Sequence, residues 1–513
     1  MHRRRPWLLF AIFAAICIVV DGATRACLID DALITLRYAR HFAHSGHATW
    51  NPPGTEAPLI GYTSAAWLVV ESMIASVIKD PDALIVAAKL GAGAALLLVA
   101  WLFADRLGRG TASMPVCVAF GLLLFANGGH GLHVNSAMET ALFCAVTLLV
   151  IWSRDRGDPP LASYGWAALA VLVRPEGLLV APVLACFDLR SGRKAVAFAG
   201  CALVASTIVV MLLVFTLAYD SPVPSPFSMK LGGPYPKRYG TLGVAFFAVF
   251  GAPAFLAACF IGARRGHAAS KLALAMATTL LTFLCFVRPI MNDCFRFEWP
   301  ALFWMAFGAV PLLEEPTLAR RWLWPAMAGV GAVANLRTSF IALDHAQDPF
   351  SQYAIDRNIG RTLARTMRSS DWLSVLDAGA VPYFSDVPTH DAVGLADGAA
   401  VRLGPPYFSF DRAMVAFCRF DVTVVVVATS DADDEIPRVL RACGFIQRLD
   451  IPICRCGVHW IAKAVFAREG VPFDRTALLS GREFAEQCPW DTGDGDIALG
   501  SWNTWLSWDG ATG

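Results

Sequence analysis

Residues 7 to 343 are a succession of apolar runs of helix length, separated by short loops that carry most of the charge. Such runs can bury their backbone in hydrocarbon only as helices, because every N–H and C=O must then be satisfied within the segment. The runs fall at 83–104, 113–127, 136–153, 161–173, 176–187, 195–218, 241–263, 271–287, 299–313 and 322–343. With a first helix near the N-terminus they predict a polytopic α-helical membrane protein of about eleven spans. Composition agrees. The chain is 56% hydrophobic and 16% charged, against about 25% charged in soluble proteins. A net charge of +1 gives no field that would attract nucleic acid, which is excluded as a partner.

The opening stretch, "MHRRRPWLLFAIFAAICIVVDGATRA", has the basic and apolar regions of a signal peptide, and "DGATRA" offers small residues for cleavage. A dense polar motif follows within a few residues and needs an anchor, so we read an uncleaved first helix. Basic residues beside short loops mark the cytoplasmic side, which places Arg3, Arg4 and Arg5 inside and Asp30 outside. Residues 63–78, "TSAAWLVVESMIASVI", contain Glu71 and several small polar residues. If they crossed, every later loop would invert. If they lie along the surface or re-enter, "DRLGRG" (105–110), "SRDRGD" (153–158), "DLRSGRK" (188–194), "ARRGHAASK" (263–271) and "EEPTLARR" (314–321) all fall inside. We adopt the second reading. The outer side then holds the first loop (25–82), "NGGHGLHVNSAMET" (127–140), "VRPEG" (173–177), residues 219–240, "VRPIMNDCFRFEW" (287–299) and everything after residue 343.

The outer loops concentrate the polar residues. Asp30 and Asp31 sit side by side where the first helix ends. Two nearby, partly desolvated carboxylates suit a general base or a metal ligand; an Asp before "ALITLRYAR" equally suits a helix cap. The pair admits a divalent cation without requiring one, and no other cofactor is implied. Arg37 and Arg40 follow on the same short helix, placed to hold an anionic head group or to mark the membrane lipid interface. "NPPGTEAPLIGYTS" (51–64) reads as a rigid loop ending at Gly61-Tyr62-Thr63, with Tyr62 a candidate substrate contact. Glu139 opens a helix just below the outer face, and Arg174 and Glu176 flank Pro175 in a very short turn; these are substrate-site candidates or structural ion pairs. Lys230, Arg174, Arg288 and Arg296 are candidate phosphate-binding cations, or interfacial anchors individually. Cations facing a carboxylate pair are what transfer from a phosphate-bearing glycosyl donor needs.

The ordered motifs "DDALITLRYARHFAHSGHATWNPPG…GYTSAAW", "SAMET", "VRPEGLL", "DSPVPSPFSMKL", "RFEWP" and "DAGAVPYFSD…DAVGLAD" resemble a group of bacterial GT-C membrane glycosyltransferases. That group includes the mycobacterial terminal β-(1→2)-arabinofuranosyltransferases and Gram-negative relatives. The resemblance runs with gaps from Asp30 to Asp397. It implies a plasma-membrane enzyme whose donor is a polyprenyl-phosphate sugar. The acceptor would be an extracytoplasmic glycan or protein hydroxyl, and an Asp of the first outer loop the catalytic base. That role falls on Asp30 or Asp31, with Asp30 preferred. Relatives commonly carry Gly where this chain has Ala137. They also carry a Pro-Asn-Thr-Tyr type segment before Lys230, and an acidic residue just before Gly61-Tyr62-Thr63. These departures bear on substrate identity.

From residue 344 to 513 the texture changes to recurrent charges, glycines and prolines, predicting a soluble extracytoplasmic α/β domain. "DWLSVLDAGAVPYFSD" reads as strand, turn and helix, and "FDVTVVVVATS" (420–430) as a buried strand of a parallel or mixed sheet. His390, with Asp377, Asp391 and Asp397, either contacts acceptor glycan or stabilises turns. Cys418, Cys443, Cys454, Cys456 and Cys488 predict one or two disulfides, and the Cys454-Arg-Cys456 spacing argues against structural zinc. The Trp-rich tail is an aromatic anchor or a carbohydrate-facing surface. Two other functions compete with transfer: a lipid-linked saccharide transporter or flippase, and a non-catalytic membrane assembly factor. A transporter should show polar residues through its spans or an inverted repeat; here they crowd one side.

Overall fold

The computed structural model describes residues 4–25, 28–55, 59–126, 128–227, 238–248, 253–287, 296–314, 352–392, 394, 396, 410–419, 421–429, 435–455 and 458–471. Lys230, Arg288, Asp397, Cys456, Cys488, the 322–343 run and the Trp-rich tail lie outside them. The chain divides into two compact units, the second comprising Asp348–Gly394 and Ser409–Gly513.

The first unit is helical: α1 (Arg5–Ala23), α2 (Asp30–Ser45), α3 (Ala65–Val77), α4 (Pro81–Arg109), α5 (Met114–Phe125), α6 (Gly128–Asn135), α7 (Thr140–Arg156), α8 (Pro160–Val173), α9 (Val180–Arg190), α10 (Lys194–Tyr219), α11 (Arg238–Phe246), α12 (Pro253–Arg264), α13 (Ala268–Phe286) and α14 (Trp299–Leu313). Among the described residues, α1, α4, α10 and α13 are long and apolar enough to cross a membrane, and α5 with α6 passes the same test as a pair bent by 57°. The chain is a multi-spanning membrane protein.

Burial sorts the helices. Every residue of α14 is buried, as expected of a helix apolar all round that sits at the centre of a bundle. In α10 only Ala197, Gly200, Val204 and Phe215 are buried, and exposed side chains such as Phe198 and Leu217 offer an apolar face to lipid. Between α1 and α4 the approach is close enough that a Cβ at Gly108 would lie 2.6 Å from Pro6, so glycine is required there.

Ion pairs fix which loops share a face. Arg5 donates to Gly110 O at 2.9 Å and to Ala112 O. Arg106 pairs with Asp155 at 2.9 Å and with Glu314 at 2.5 Å. Asp188 accepts from both Arg154 and Arg193. The N-terminal basic cluster and the loops at 105–110, 153–158, 188–194 and 314 therefore meet at one face. α1 leaves that face and α4 returns to it, so the segment that holds α2 and α3 begins and ends away from it. At 13 residues, α3 belongs with α8, α12 and α14 among the shorter apolar helices of the described residues.

Three local expectations change. The 241–263 run is two helices, with Pro253 opening the second, as a residue that cannot donate to the preceding turn must. The glycine-rich 127–140 loop contains the helix α6. The Asp pair does not cap α2: Ile29 occupies the cap in an extended conformation, with no side-chain cap bond, and Asp30 and Asp31 are the first two helical residues. There they face the positive end of the helix dipole.

The second unit contains α15 (Gln352–Thr366), β1 (Trp372–Val375), α16 (Ala380–Ser385), β2 (Thr389–Asp391), α17 (Phe410–Phe417), β3 (Val422–Thr429), α18 (Glu435–Ala442), β4 (Phe445–Arg455) and β5 (Val458–Arg468). The strand order is β2-β1-β3-β5-β4, with β1 parallel to β2 and β3, and β5 antiparallel to β3 and β4. Alternation along β3 explains its valines. Val424 and Val426 pack with Ile355, Ile359 and Leu363 of α15, while Val425 and Val427 pack with Phe417 and Leu440 on the opposite side. Lys463 is buried between Asp356, at 3.1 Å, and Asp377, at 2.7 Å.

Cys418 and Cys443 form a disulfide across 25 residues. Closing a loop of that length restricts the unfolded chain by about 3–4 kcal/mol. Cys418→Ser with Cys443→Ser should therefore lower this unit's unfolding free energy by that order, read as an earlier denaturation midpoint under non-reducing conditions.

Candidate active site

The candidate site lies on the face opposite the clustered basic loops, where side chains from distant parts of the chain form an alternating series of charges. Asp31, in the first turn of α2, faces Arg296 at 3.4 Å. Arg296 pairs in turn with Glu139 at 3.4 Å, and Glu139 with Arg174 at 3.6 Å. Arg174 closes on Glu176 at 3.0 Å through Nη2, with Nε donating to the other carboxylate oxygen at 3.2 Å. The middle of the series is buried: Arg174, Glu139 and Arg296 are 4–5% exposed. The Asp31 end is open, its side chain 22% exposed. Buried charges persist only when paired, and Glu139 meets that requirement for both arginines.

Local structure places each member. Arg174 ends α8 in an extended conformation, and Pro175 then starts a 3-10 turn, Pro175–Leu179. That turn folds back so tightly that a Cβ on Gly177 would lie 2.4 Å from the Ala170 backbone; only glycine allows Arg174 and Glu176 to face each other here. Phe297, next to Arg296, lies 4.9 Å from the Arg174 guanidinium and 5.5 Å from that of Arg296, which adds cation–π attraction in a dry setting.

Glu139 follows a strained turn. Ala137 has φ 60°, a left-handed conformation that costs a residue bearing a Cβ about 1–2 kcal/mol. The indole of Trp67 donates to Ala137 O at 3.1 Å and holds the turn. Ala137→Gly should stabilise the protein by about 1 kcal/mol, read as a higher melting temperature with transfer retained.

Glu71 of α3 is the group whose importance the sequence understated. A lone acid in an apolar helix marked it only as an obstacle to spanning. It is 0% exposed, and neither carboxylate oxygen has a hydrogen-bond partner among the described residues. Burial first, and the Glu139 charge second, push its pKa well above the ordinary value. Glu71→Met, of similar length and without the desolvation cost, should stabilise by about 1–3 kcal/mol, read in the same melting experiment. A fall in melting temperature would mean that Glu71 has a partner.

The remaining candidates are placed elsewhere. Arg37 is buried inside the first loop, over the Trp50 ring at 4.7 Å and 3.5 Å from Asn51 Oδ1. Tyr62 is buried against Tyr38 and shares a 3.0 Å hydrogen bond with Tyr219. Both organise the loop that carries α2. Arg40 is half-buried on α2. In the second unit, His390 is fully buried, stacked on Trp372 at 4.3 Å and 3.4 Å from Asp421. For a divalent cation the fit is poor. Asp31 is engaged by a guanidinium, and among the described residues no group of three His, Cys, Asp or Glu side chains could hold a metal ion.

Comparison with known proteins bears on the fold. The crystal structure of ArnT from Cupriavidus metallidurans in the apo state superposes with a TM-score of 0.55 at 15% identity, covering 90% of this chain and 97% of that one. The structure of the same protein bound to undecaprenyl phosphate gives 0.59 at 14% identity, covering 91% and 98%. The fold is ArnT-like. The similarity runs through both units of the chain. Residues 345–476 match a family model described as a domain of unknown function, DUF8728, and no curated protein matches the chain. In this ArnT-like chain the charge series is built by α2, α7, the end of α8 and the approach to α14.

Proposed function

We propose that the protein is a membrane glycosyltransferase that moves a sugar from a polyprenyl-phosphate donor to a hydroxyl of a glycan or protein. The observation that carries this reading is the run of Asp31, Arg296, Glu139, Arg174 and Glu176, charged groups joined in an otherwise apolar interior with one end open. Ionisable groups at such depth are costly and mark a site of chemistry. The ArnT-like fold supports the donor class, since ArnT itself has been crystallised with undecaprenyl phosphate.

In this mechanism a carboxylate of the Asp30–Asp31 pair accepts the acceptor's hydroxyl proton. The acceptor oxygen bonds to the anomeric carbon as the bond from that carbon to the phosphate oxygen breaks. The electron pair leaves with the polyprenyl phosphate, whose added negative charge is neutralised by Arg174 and Arg296. Lys230 and Arg288 are further cations for the same phosphate by the sequence argument. Glu139 and Glu176 hold the two arginines in place. The resemblance in sequence points to a pentose such as arabinofuranose as the sugar. By the charge of its loops, the site faces the outside of a bacterial plasma membrane.

The test is chemical. Purified protein in lipid is incubated with synthetic polyprenyl-phosphate pentoses and a glycan acceptor, and released polyprenyl phosphate is quantified. Acceptor-dependent release is expected. A protein that moved the lipid-linked sugar between leaflets without cleaving it would contradict the reading.

A further inference from the structure

We propose that Asp31 and the donor phosphate compete for Arg296, so that donor binding is what releases Asp31 for catalysis. The proposal rests on the transferase reading above and gives Arg296 a second role, as a positioning residue that couples donor occupancy to the carboxylate pair.

The argument is one of hydrogen-bond capacity. A guanidinium clamps a phosphate well only when two N–H groups on one edge are available together. In Arg296 both terminal nitrogens are committed: Nη1 to Asp31 Oδ2 and Nη2 to Glu139 Oε1, each at 3.4 Å. Nε is buried and has no hydrogen-bond partner among the described residues. Three of its five N–H groups remain, one on each nitrogen, but the side chain is nearly buried and Asp31 stands at its more exposed end, so a phosphate that reaches the Nη1 side takes the place of that carboxylate. In Arg174, Nε and Nη2 donate to Glu176, and Nη1 faces Glu139 at 3.6 Å with no hydrogen bond among the described residues.

Asp31 is the carboxylate that can leave. Glu139 is buried and shared with Arg174, so moving it would strand two guanidinium groups. Asp31 lies at the exposed end of the series and can be rehydrated at little cost. Its release changes what it can do. While Oδ2 accepts from Arg296, that oxygen is unavailable to an acceptor hydroxyl; once a phosphate takes the guanidinium, it is presented to the acceptor beside Asp30. The order of events follows: donor before acceptor, with the carboxylate pair exposed only when there is a leaving group to expel. Coupling of this kind is reciprocal, so removing the Asp31 charge must strengthen donor binding.

The test uses undecaprenyl phosphate as the probe. Its Kd is measured for the purified full-length protein in detergent, as wild type, Asp31→Asn, Arg296→Gln and the double variant. Asp31→Asn should bind about tenfold more tightly than wild type while losing transfer activity. In the Arg296→Gln background the same substitution should give no tightening. Unchanged or weaker binding by Asp31→Asn overturns the proposal, and so does tightening that persists without Arg296. If Arg296→Gln and wild type bind equally, or wild type binds no undecaprenyl phosphate, the transferase reading itself fails. Arg296→Lys, which keeps the charge without the fork, covers the case in which Arg296→Gln does not fold: its gain on adding Asp31→Asn should be smaller than that of wild type, and an equal gain overturns the proposal.

Discussion

Asp30→Asn combined with Asp31→Asn should lower the rate of sugar transfer by about 10²- to 10⁴-fold, the range expected for loss of a general base. The substitution is nearly isosteric. Asp30 and Asp31 are the first two residues of α2, the cap belongs to Ile29, and no capping hydrogen bond is lost. The cost in stability should include the weakened dipole interaction, about 0.3–1 kcal/mol, and release of Arg296 from Asp31. Initial rates and melting temperature measured on the same preparations separate the two effects. The single variants assign the base: the one that accounts for most of the loss in kcat carries the proton. A loss of transfer accompanied by an equally large loss of folded protein would instead make the pair structural.

Glu139→Ala should be the most damaging single substitution for stability. Glu139 is the shared partner of Arg174 and Arg296, and removing one member of a buried pair costs about 3–5 kcal/mol because it leaves an uncompensated charge. Arg174 keeps Glu176 and Arg296 keeps Asp31, so the effect should stay within that range. The measurement is thermal unfolding in detergent. The contrast is Arg174→Met, which leaves Glu139 paired with Arg296 and should cost less.

The charged residues of the site were conspicuous in the sequence because an apolar chain makes every buried charge expensive. Asp31, Glu139, Arg174, Glu176 and Arg296 could each be picked out for that reason. Their connectivity could not. Arg296 reaches Asp31 across 265 residues and Glu139 across 157, and only the packed bundle decides which charges meet. Arg37 and Tyr62 looked equally functional as letters, and packing turned both inward to shape the first loop. Glu71 was visible as an oddity, but that neither of its carboxylate oxygens has a hydrogen-bond partner among the described residues is a property of the folded state.

At the level of elements, the grouping of the basic loops on one face was legible. The ion pairs Arg106–Asp155 and Arg154–Asp188 show the same grouping. Helix limits were less so. The start of α2 moved because the extended Ile29 takes the cap that an aspartate was expected to fill. The 241–263 run looked continuous by hydropathy alone, although Pro253 was present to break it. In the second unit, the valines of β3 announced a two-sided strand, and the mixed sheet packs them on both faces. The cost of a left-handed Ala137 was also unreadable, because φ is a property of the folded turn.

The central claim is that the charge series anchored at Asp31 is the active site of a sugar transferase. It is tested most directly by following a labelled pentose from a synthetic polyprenyl-phosphate donor to a glycan acceptor with purified wild-type protein and with the double Asp30→Asn, Asp31→Asn variant. The account predicts that glycosylated acceptor and free polyprenyl phosphate appear in equal amounts with wild type, and that both fall by about 10²-fold or more in the folded variant. Transfer by the variant at the wild-type rate would contradict it.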